Sequence, residues 1–265
     1  MKNVAILGGG NLGTALAQGL ARTEEATSNY KVTVTRRTPD HIRHLEEKGI
    51  TVTSDNTEAV EGADLLIIAV QPAQIEGLIE EIKPAIDPQK HIIASTMAGV
   101  KSEDIAKLTG SGVRILRVMP NTAAAINQAM TCIEKTPHKE AEDEITALFE
   151  TLGKTLVINS ELMEASTVLG ACGIAFFLRY IRAASQGGIE VGFHAEEAQL
   201  IASQTALGAS ALLLESDSHP EQEIDKVTTP KGCTIAGLNE MEHNGLSSAL
   251  IKGIKLSCDM IEEIR

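Results

Sequence analysis

Apolar positions in the first half of the chain fall in short runs, separated by stretches with helical spacing. Val4-Ala5-Ile6-Leu7, Lys31-Val32-Thr33-Val34-Thr35, Leu65 to Val70, His91 to Ser95 and Val113 to Val118 are predicted strands. The runs at 4–7 and 65–70 are apolar at successive positions, the pattern of a strand covered on both faces. Helical segments are expected near 41–48, 74–82 and 102–108. Such alternation predicts an α/β domain with a doubly wound parallel sheet. Met130 to Ile133 and Thr155 to Ile158 add two late strands around a helix near 139–151. Beyond Asn159 the strand pattern stops. Ser160-Glu161 opens a long helix to about Gln186, Ala195 to Glu215 forms another, and a last helix runs from about Ser247 to Ile264. Gly187-Gly188, Pro220 and Pro230 fall to connecting loops. The expected division is therefore 1–159, α/β, and 160–265, all-helical. The stretch Ala171 to Leu178 is apolar nearly all round and needs a cover, for which a second subunit is the natural candidate.

The first strand runs straight into Gly8-Gly9-Gly10-Asn11-Leu12-Gly13, and then into a helical segment from Thr14 to Leu20. A Gly-x-Gly-x-x-Gly turn between strand and helix lets the backbone approach a pyrophosphate, with helix N–H groups aimed at it. A purely structural glycine turn is the alternative. The strand–turn–helix context favours a dinucleotide site in a Rossmann-like unit. The next strand ends in Thr35-Arg36-Arg37-Thr38, where an NAD-type unit would carry an acid for the ribose hydroxyl. Two guanidinium groups with two hydroxyls suit a 2′-phosphate instead. NADPH is thus the preferred cofactor expected, with NADH also usable.

Composition narrows the classes. With 43% hydrophobic residues a sizeable core is available, and with 2% aromatics and no Trp that core must be aliphatic. A formal charge of −13, with no basic stripe, argues against nucleic acid and leaves anionic ligands to local donors. Cys132, Cys172, Cys233 and Cys258 are scattered, and no spacing of Cys or His marks a metal site or a disulfide framework. The N-terminal apolar run is short and already used as a strand, and Ala165 to Leu178 is short for a membrane span. A cytoplasmic protein without a membrane segment is expected.

Four polar segments fall at strand ends: Ser54-Asp55-Asn56-Thr57, Ala69-Val70-Gln71-Pro72, Ser95-Thr96-Met97-Ala98-Gly99 and Val118-Met119-Pro120-Asn121-Thr122. Each reads singly as a turn; together with the glycine turn they would line one crevice. A fifth segment, Val227-Thr228-Thr229-Pro230-Lys231-Gly232-Cys233-Thr234, opens a helix in the second half, as an anion-binding N-terminus or simply a cap. These segments in this order, with Leu212-Leu213-Leu214-Glu215-Ser216, His219-Pro220, Asp225-Lys226-Val227-Thr228 and Thr234-Ile235-Ala236-Gly237-Leu238, resemble the pyrroline-5-carboxylate reductase family over nearly the whole chain.

The resemblance implies NAD(P)H-dependent reduction of the cyclic imine (S)-1-pyrroline-5-carboxylate to L-proline. It implies that Gly8, Gly10, Asn11, Leu12 and Gly13 hold the pyrophosphate, that Thr35, Arg36 and Arg37 take the 2′-phosphate, and that Asn56 touches the adenosine side. Ala69, Gln71, Pro72, Ala98 and Gly99 would follow the ribose and nicotinamide. Thr229, Gly232 and Cys233 would grip the substrate carboxylate, and Thr234 would be the catalytic contact to the ring nitrogen. A homodimer through the helical domain is implied, with a decamer of dimers as a larger assembly. The chain departs from the family pattern in three places. Gly170-Ala171-Cys172-Gly173-Ile174-Ala175-Phe176 replaces a serine-rich motif, Lys231 replaces a glycine, and Gln71 replaces a lysine. These departures keep open a reductase of another cyclic imine. A non-catalytic dinucleotide-sensing dimer is the remaining alternative. A β-hydroxyacid dehydrogenase-like enzyme is disfavoured, since no lysine stands between Ser160 and Gly188.

Overall fold

The computed structural model describes residues 1–263. They form two compact units, one of Met1–Cys172 joined by the end of the last helix from Ser257, the other of Gly173–Leu256. The division falls later than the expected break at Asn159, because Met163, Val168 and the Ser160 and Glu164 side chains pack into the first unit.

In the first unit the elements are β1 (Lys2–Leu7), α1 (Asn11–Leu20), α2 (Glu24–Asn29), β2 (Tyr30–Thr35), β3 (Thr51–Thr53), α3 (Asn56–Glu61), β4 (Leu65–Ile68), α4 (Ile75–Ile82), β5 (Ile92–Ser95), α5 (Ser102–Thr109), β6 (Arg114–Met119), β7 (Ala129–Glu134), α6 (Lys139–Glu150), β8 (Gly153–Ile158) and the short α7 (Met163–Ser166). The helix expected near 41–48 is a 3₁₀ helix, Pro39–Lys48; its buried Ile42 and Leu45 lie three apart, the spacing that 3₁₀ geometry brings onto one line. The strands make one sheet in the order β3-β2-β1-β4-β5-β6-β7-β8.

Alternation along the strands builds a core on each face. Val4, Ile6, Leu65 and Ile67 meet Leu16 and Leu20 of α1 and Ile145 and Phe149 of α6, while Ala5, Leu7, Leu66 and Ile68 meet Val60 of α3, Ile75, Leu78 and Ile79 of α4 and Ile105 of α5. This is the doubly wound arrangement, with one correction. β7 runs antiparallel to β6, and β8 is parallel to β7. The β6–β7 connection is a single 3₁₀ turn, Thr122–Ile126, too short for the crossover a parallel pairing requires.

In the second unit α8 (Gly173–Glu190) and α9 (Ala195–Glu215) form a hairpin, followed by α10 (Pro220–Val227), α11 (Cys233–His243) and α12 (Leu246–Glu263), whose last turns belong to the first unit. Gly187 and Gly188, expected in a loop, lie inside α8. A Cβ on Gly188 would stand 2.9 Å from the Ala198 Cβ, so the glycine permits close approach of two helices rather than a chain reversal. The helical run Ser160–Glu190 is accordingly longer than Ala165 to Leu178 implied; its mean hydropathy reaches 1.5, enough by length and composition to cross a membrane. Phe177, Leu200, Leu207, Leu214, Leu250 and Ile251 of these helices are exposed.

A buried polar cluster joins the start of this helical run to the sheet. Arg117 of β6 donates to Glu164 (3.2 Å), to Glu134 of β7 (3.3 Å) and to the carbonyl and hydroxyl of Ser160 (3.0 and 2.9 Å). Ser160 Oγ donates to Glu134 at 2.5 Å, and the Ser102 hydroxyl donates to the other Glu134 oxygen. Next to Thr167–Cys172, which is wound as a π-helix, the Asn121 amide donates to the Gly170 carbonyl at 3.1 Å.

Burial by itself raises the Glu134 carboxyl; the two serine hydroxyls and Arg117 outweigh it and hold the group below its ordinary 4.5. A carboxyl depressed in the folded state adds stability above its unfolded value and loses it as pH falls through the folded one. Urea unfolding should therefore show stability declining from about pH 4.5 downward. Glu134→Gln should lower the neutral-pH midpoint and flatten that decline; an unchanged acid slope would remove Glu134 from the cause.

Candidate functional site

Strand register places the site. Thr53 pairs with Thr35, Thr35 with Leu7, Leu7 with Ile68, and Ile68 with Ser95. The residues that follow, Ser54, Arg36, Gly8, Ala69 and Thr96, therefore leave the sheet along one edge. Chain order reverses between β1 and β4, where open α/β sheets bind ligands.

At that point the glycine turn is built as the motif requires. Gly8 has φ +114°, a conformation closed to other residues, and a Cβ there would meet the Ala69 carbonyl oxygen at 2.7 Å. The Gly9 N–H donates to the Thr35 carbonyl at 2.7 Å, tying the turn to β2. A Cβ on Gly13 would lie 2.1 Å from the Gly8 carbonyl oxygen, so only glycine lets α1 start so close to the turn. Gly10 is the N-cap of α1, and a Cβ on it would have nothing within 4 Å. That free space, beside the unpaired N–H groups of the first helical turn from Asn11, Leu12 and Gly13, fits an approaching anion.

A cavity of about 870 Å³ opens here, within the usual range for small-molecule sites. Its lining includes Gly8, Gly10, Thr35, Arg36, Arg37, Asn56, Ala69 and Gln71, and so gathers most of the expected cofactor residues. Asn11, Leu12 and Gly13 stand behind it in the first turn of α1. Thr35 is buried, Arg36 half-buried and Arg37 exposed. Arg36 Nη1 donates to the Gly9 carbonyl at 2.6 Å, bracing the turn. Pro72, Ala98 and Gly99 line a second recess of about 580 Å³, beside Lys101 and Lys107 at α5. One wall of the first cavity is absent from the sequence reading: Gln74, Gly77, Leu78 and Glu81, along α4. Ile75, Leu78, Ile79 and Ile82 of the same helix are buried, so its apolar spacing marks the core face and not the cavity face.

The expected substrate residues lie in the second unit, at the turn between α10 and α11. Gly232 is the N-cap of α11, and Cys233 and Thr234 form its first turn. Lys231 has φ +62°, a left-handed conformation that glycine adopts freely and lysine does not. The turn carries one correction. The Gly232 N–H donates to the Thr229 carbonyl at 2.9 Å, so it is committed to closing the turn rather than free for a carboxylate. A Cβ on Gly232 would meet Thr229 Oγ1 at 2.5 Å, so Thr229 and Gly232 are in close contact. Thr229, Cys233 and Thr234 are exposed. Cys172, in the departing motif, has its thiol pushed up by burial, which suits packing rather than nucleophilic chemistry.

Known proteins resemble this chain in sequence and in fold. Residues 160–264 match the family model described as pyrroline-5-carboxylate reductase dimerisation, and residues 3–99 match that described as NADP oxidoreductase, coenzyme F420-dependent. The dimerisation domain indicates a homo-oligomer. Pyrroline-5-carboxylate reductase 2 of Dictyostelium discoideum is 46% identical over 97% of this chain and 91% of its own length. Pyrroline-5-carboxylate reductase 1 of the same organism is 47% identical over 97% of this chain, which spans 48% of that longer relative. The crystal structure of Plasmodium falciparum pyrroline carboxylate reductase with NADP bound shares the fold, with TM-score 0.87 at 21% identity, covering 99% of this chain and 97% of the other.

The two glycines of the turn should separate on substitution. Gly10→Ala should leave the unfolding midpoint unchanged and weaken NADPH binding at least tenfold by fluorescence titration, whereas Gly13→Ala should lower both. In the other unit, a left-handed conformation costs a residue with a side chain about 1–2 kcal/mol, offset by glycine's extra unfolded entropy of about 0.5–1 kcal/mol. Lys231→Gly should therefore stabilise the protein by about 0.5–1 kcal/mol in denaturant unfolding.

Proposed function

Since the chain belongs to the pyrroline-5-carboxylate reductase family, we propose that it reduces (S)-1-pyrroline-5-carboxylate to L-proline with NADPH as preferred cofactor and NADH as an alternative. The observation that carries the reading is the cavity at the β1–β4 reversal, where Gly10 leaves open space at the start of α1 and two arginines follow β2.

The residues present fit a dinucleotide. The N–H groups of the first turn of α1, from Asn11, Leu12 and Gly13, with the backbone at Gly8 and Gly10, would hold the pyrophosphate. Thr35, Arg36 and Arg37 would receive the 2′-phosphate, with Asn56 on the adenosine side. Ala69, Gln71, Pro72, Ala98 and Gly99 would follow the ribose and nicotinamide. When bound, the reduced nicotinamide supplies a hydride to the imine carbon. The ring nitrogen takes a proton, the C=N bond becomes C–N, and NADP⁺ is left.

The chain's own part is binding and orientation. Thr229 Oγ1 and the Cys233 N–H would clamp the substrate carboxylate at the N-terminus of α11, since the Gly232 N–H already closes the turn. Thr234 would place its hydroxyl against the ring nitrogen and orient the protonated imine, which is the electrophilic form. Holding donor and acceptor carbon in a near-attack geometry is then the main source of rate. With a formal charge of −13, the protein must hold two anionic ligands by such local donors rather than by its overall field.

The apolar faces of the helical unit support a homodimer formed through residues 160–265, with dimers assembling further into a decamer. They also support burial of the apolar helix against a second copy rather than in lipid, in a cytoplasmic protein. Two domains, 1–159 for dinucleotide and 160–265 for dimer and substrate, complete the proposal.

The test is NADPH oxidation with DL-1-pyrroline-5-carboxylate, run beside its six-membered homologue. Oxidation with the five-membered ring, and proline as product, is expected. Oxidation with the larger ring alone would make the Gly170–Phe176 replacements a change of substrate, and NADPH binding without turnover would indicate a sensor. Thr234→Ala should cut kcat roughly a hundredfold, the scale of one lost transition-state donor. Its NADPH affinity should be unchanged, and unaltered turnover would remove Thr234 from the reaction.

A further inference from the structure

We propose that Glu81 sets the choice between a 2′-phosphorylated and a plain adenosine half in the cofactor, partly by its charge and partly by holding Asn56; the inference rests on the cavity being the dinucleotide site. Among the described lining residues Glu81 is the one carboxylate, and it shares the cavity with Arg36 and Arg37. Both of its oxygens accept from the Asn56 Nδ2, at 3.1 and 3.0 Å. Asn56 is the first residue of α3, behind an Asp55 cap that takes the Glu58 N–H at 2.9 Å, so the backbone that carries the amide is fixed. On the other side, Arg36 is partly committed to the Gly9 carbonyl at 2.6 Å.

These contacts pull against a 2′-phosphate. A carboxylate in the same cavity repels the phosphate but accepts a hydrogen bond from a ribose 2′-hydroxyl. With its Nδ2 turned to both Glu81 oxygens, the Asn56 amide keeps at most one of its two N–H donors for a phosphate. Arg37, exposed and without a competing partner among those described, is left as the principal cation for the phosphate. The arginine pair that favours NADPH is therefore opposed from α4, and the cavity keeps a measurable affinity for the unphosphorylated cofactor. Glu81 is thus a positioning and specificity residue, not a catalytic one.

The experiment uses the whole protein and two cofactor fragments, adenosine 2′,5′-bisphosphate and adenosine 5′-monophosphate, titrated by calorimetry. Glu81 lies on the exposed side of α4, so its variants should fold, which thermal unfolding checks. Glu81→Gln removes the charge and can keep the link to Asn56; Glu81→Ala removes both. The ratio of affinities, bisphosphate over monophosphate, should rise several-fold in Glu81→Gln and about tenfold in Glu81→Ala. In an Asn56→Ala background the additional gain of Glu81→Ala over Glu81→Gln should vanish, as coupling through Asn56 requires. Reductase kcat/KM for NADPH over NADH should move in the same direction. Binding of both fragments with an unchanged ratio in the Glu81 variants overturns the inference alone. Failure of either fragment to bind the unsubstituted protein overturns the assignment of the cavity, and the inference with it.

Discussion

The first unit depends on one row of backbone pairings. Thr53, Thr35, Leu7, Ile68 and Ser95 stand side by side at the ends of their strands, and the next residue of each chain segment forms the rim of the crevice. A slip of one residue in any pairing would turn that strand's apolar side chains to the wrong core and carry its loop out of reach. β1 and β4 are apolar on both faces, and in this register Ala5 and Leu7 are buried on one side while Val4 and Ile6 fill the other. The crevice is thus a by-product of core packing. The glycines refine it, at positions where a Cβ would strike the Ala69 or Gly8 carbonyl.

Much of this was legible in the sequence because burial on both faces and a Gly-x-Gly-x-x-Gly turn leave local signals. Strands β1, β2, β4, β5 and β6 and helix α9 were found from them. What escaped depended on contacts between distant segments. β3 has only Thr51, Val52 and Thr53, too few to show a period. The direction of β7 follows from the length of the turn before it, which apolar patterning does not encode. Gly188 reads as a chain break until Ala198 is placed against it. Glu81 faces the cavity from a helix whose apolar side announces only the core. The Gly232 N–H, expected to bind a carboxylate, is claimed by Thr229 because a left-handed Lys231 closes the turn tightly.

Arg117, Glu134 and Glu164 illustrate a different use of burial. An arginine 4% exposed between two carboxylates is a costly arrangement to desolvate, and an apolar trio could replace it without loss of stability. Its value lies in direction. Ser160 and Glu164 at the start of the helical run and Glu134 on β7 meet Arg117 directly, and Ser102 at the start of α5 holds Glu134, so these elements share one geometry. The helical run therefore leaves the sheet with a defined heading before it reaches the π-helical turn at Thr167–Cys172.

The antiparallel β7 also has a kinetic meaning. Chain closure costs entropy that grows with the length of the loop closed. Within the sheet the shortest loop lies between β6 and β7, where Met119 meets Cys132 across one turn, and the longest lies at the β1–β4 seam, where Val4 meets Leu65. The crevice opens on that seam. The cavity thus sits where the sheet is entropically hardest to close, and a ligand lodged there would slow unfolding by clasping the join that separates its two halves.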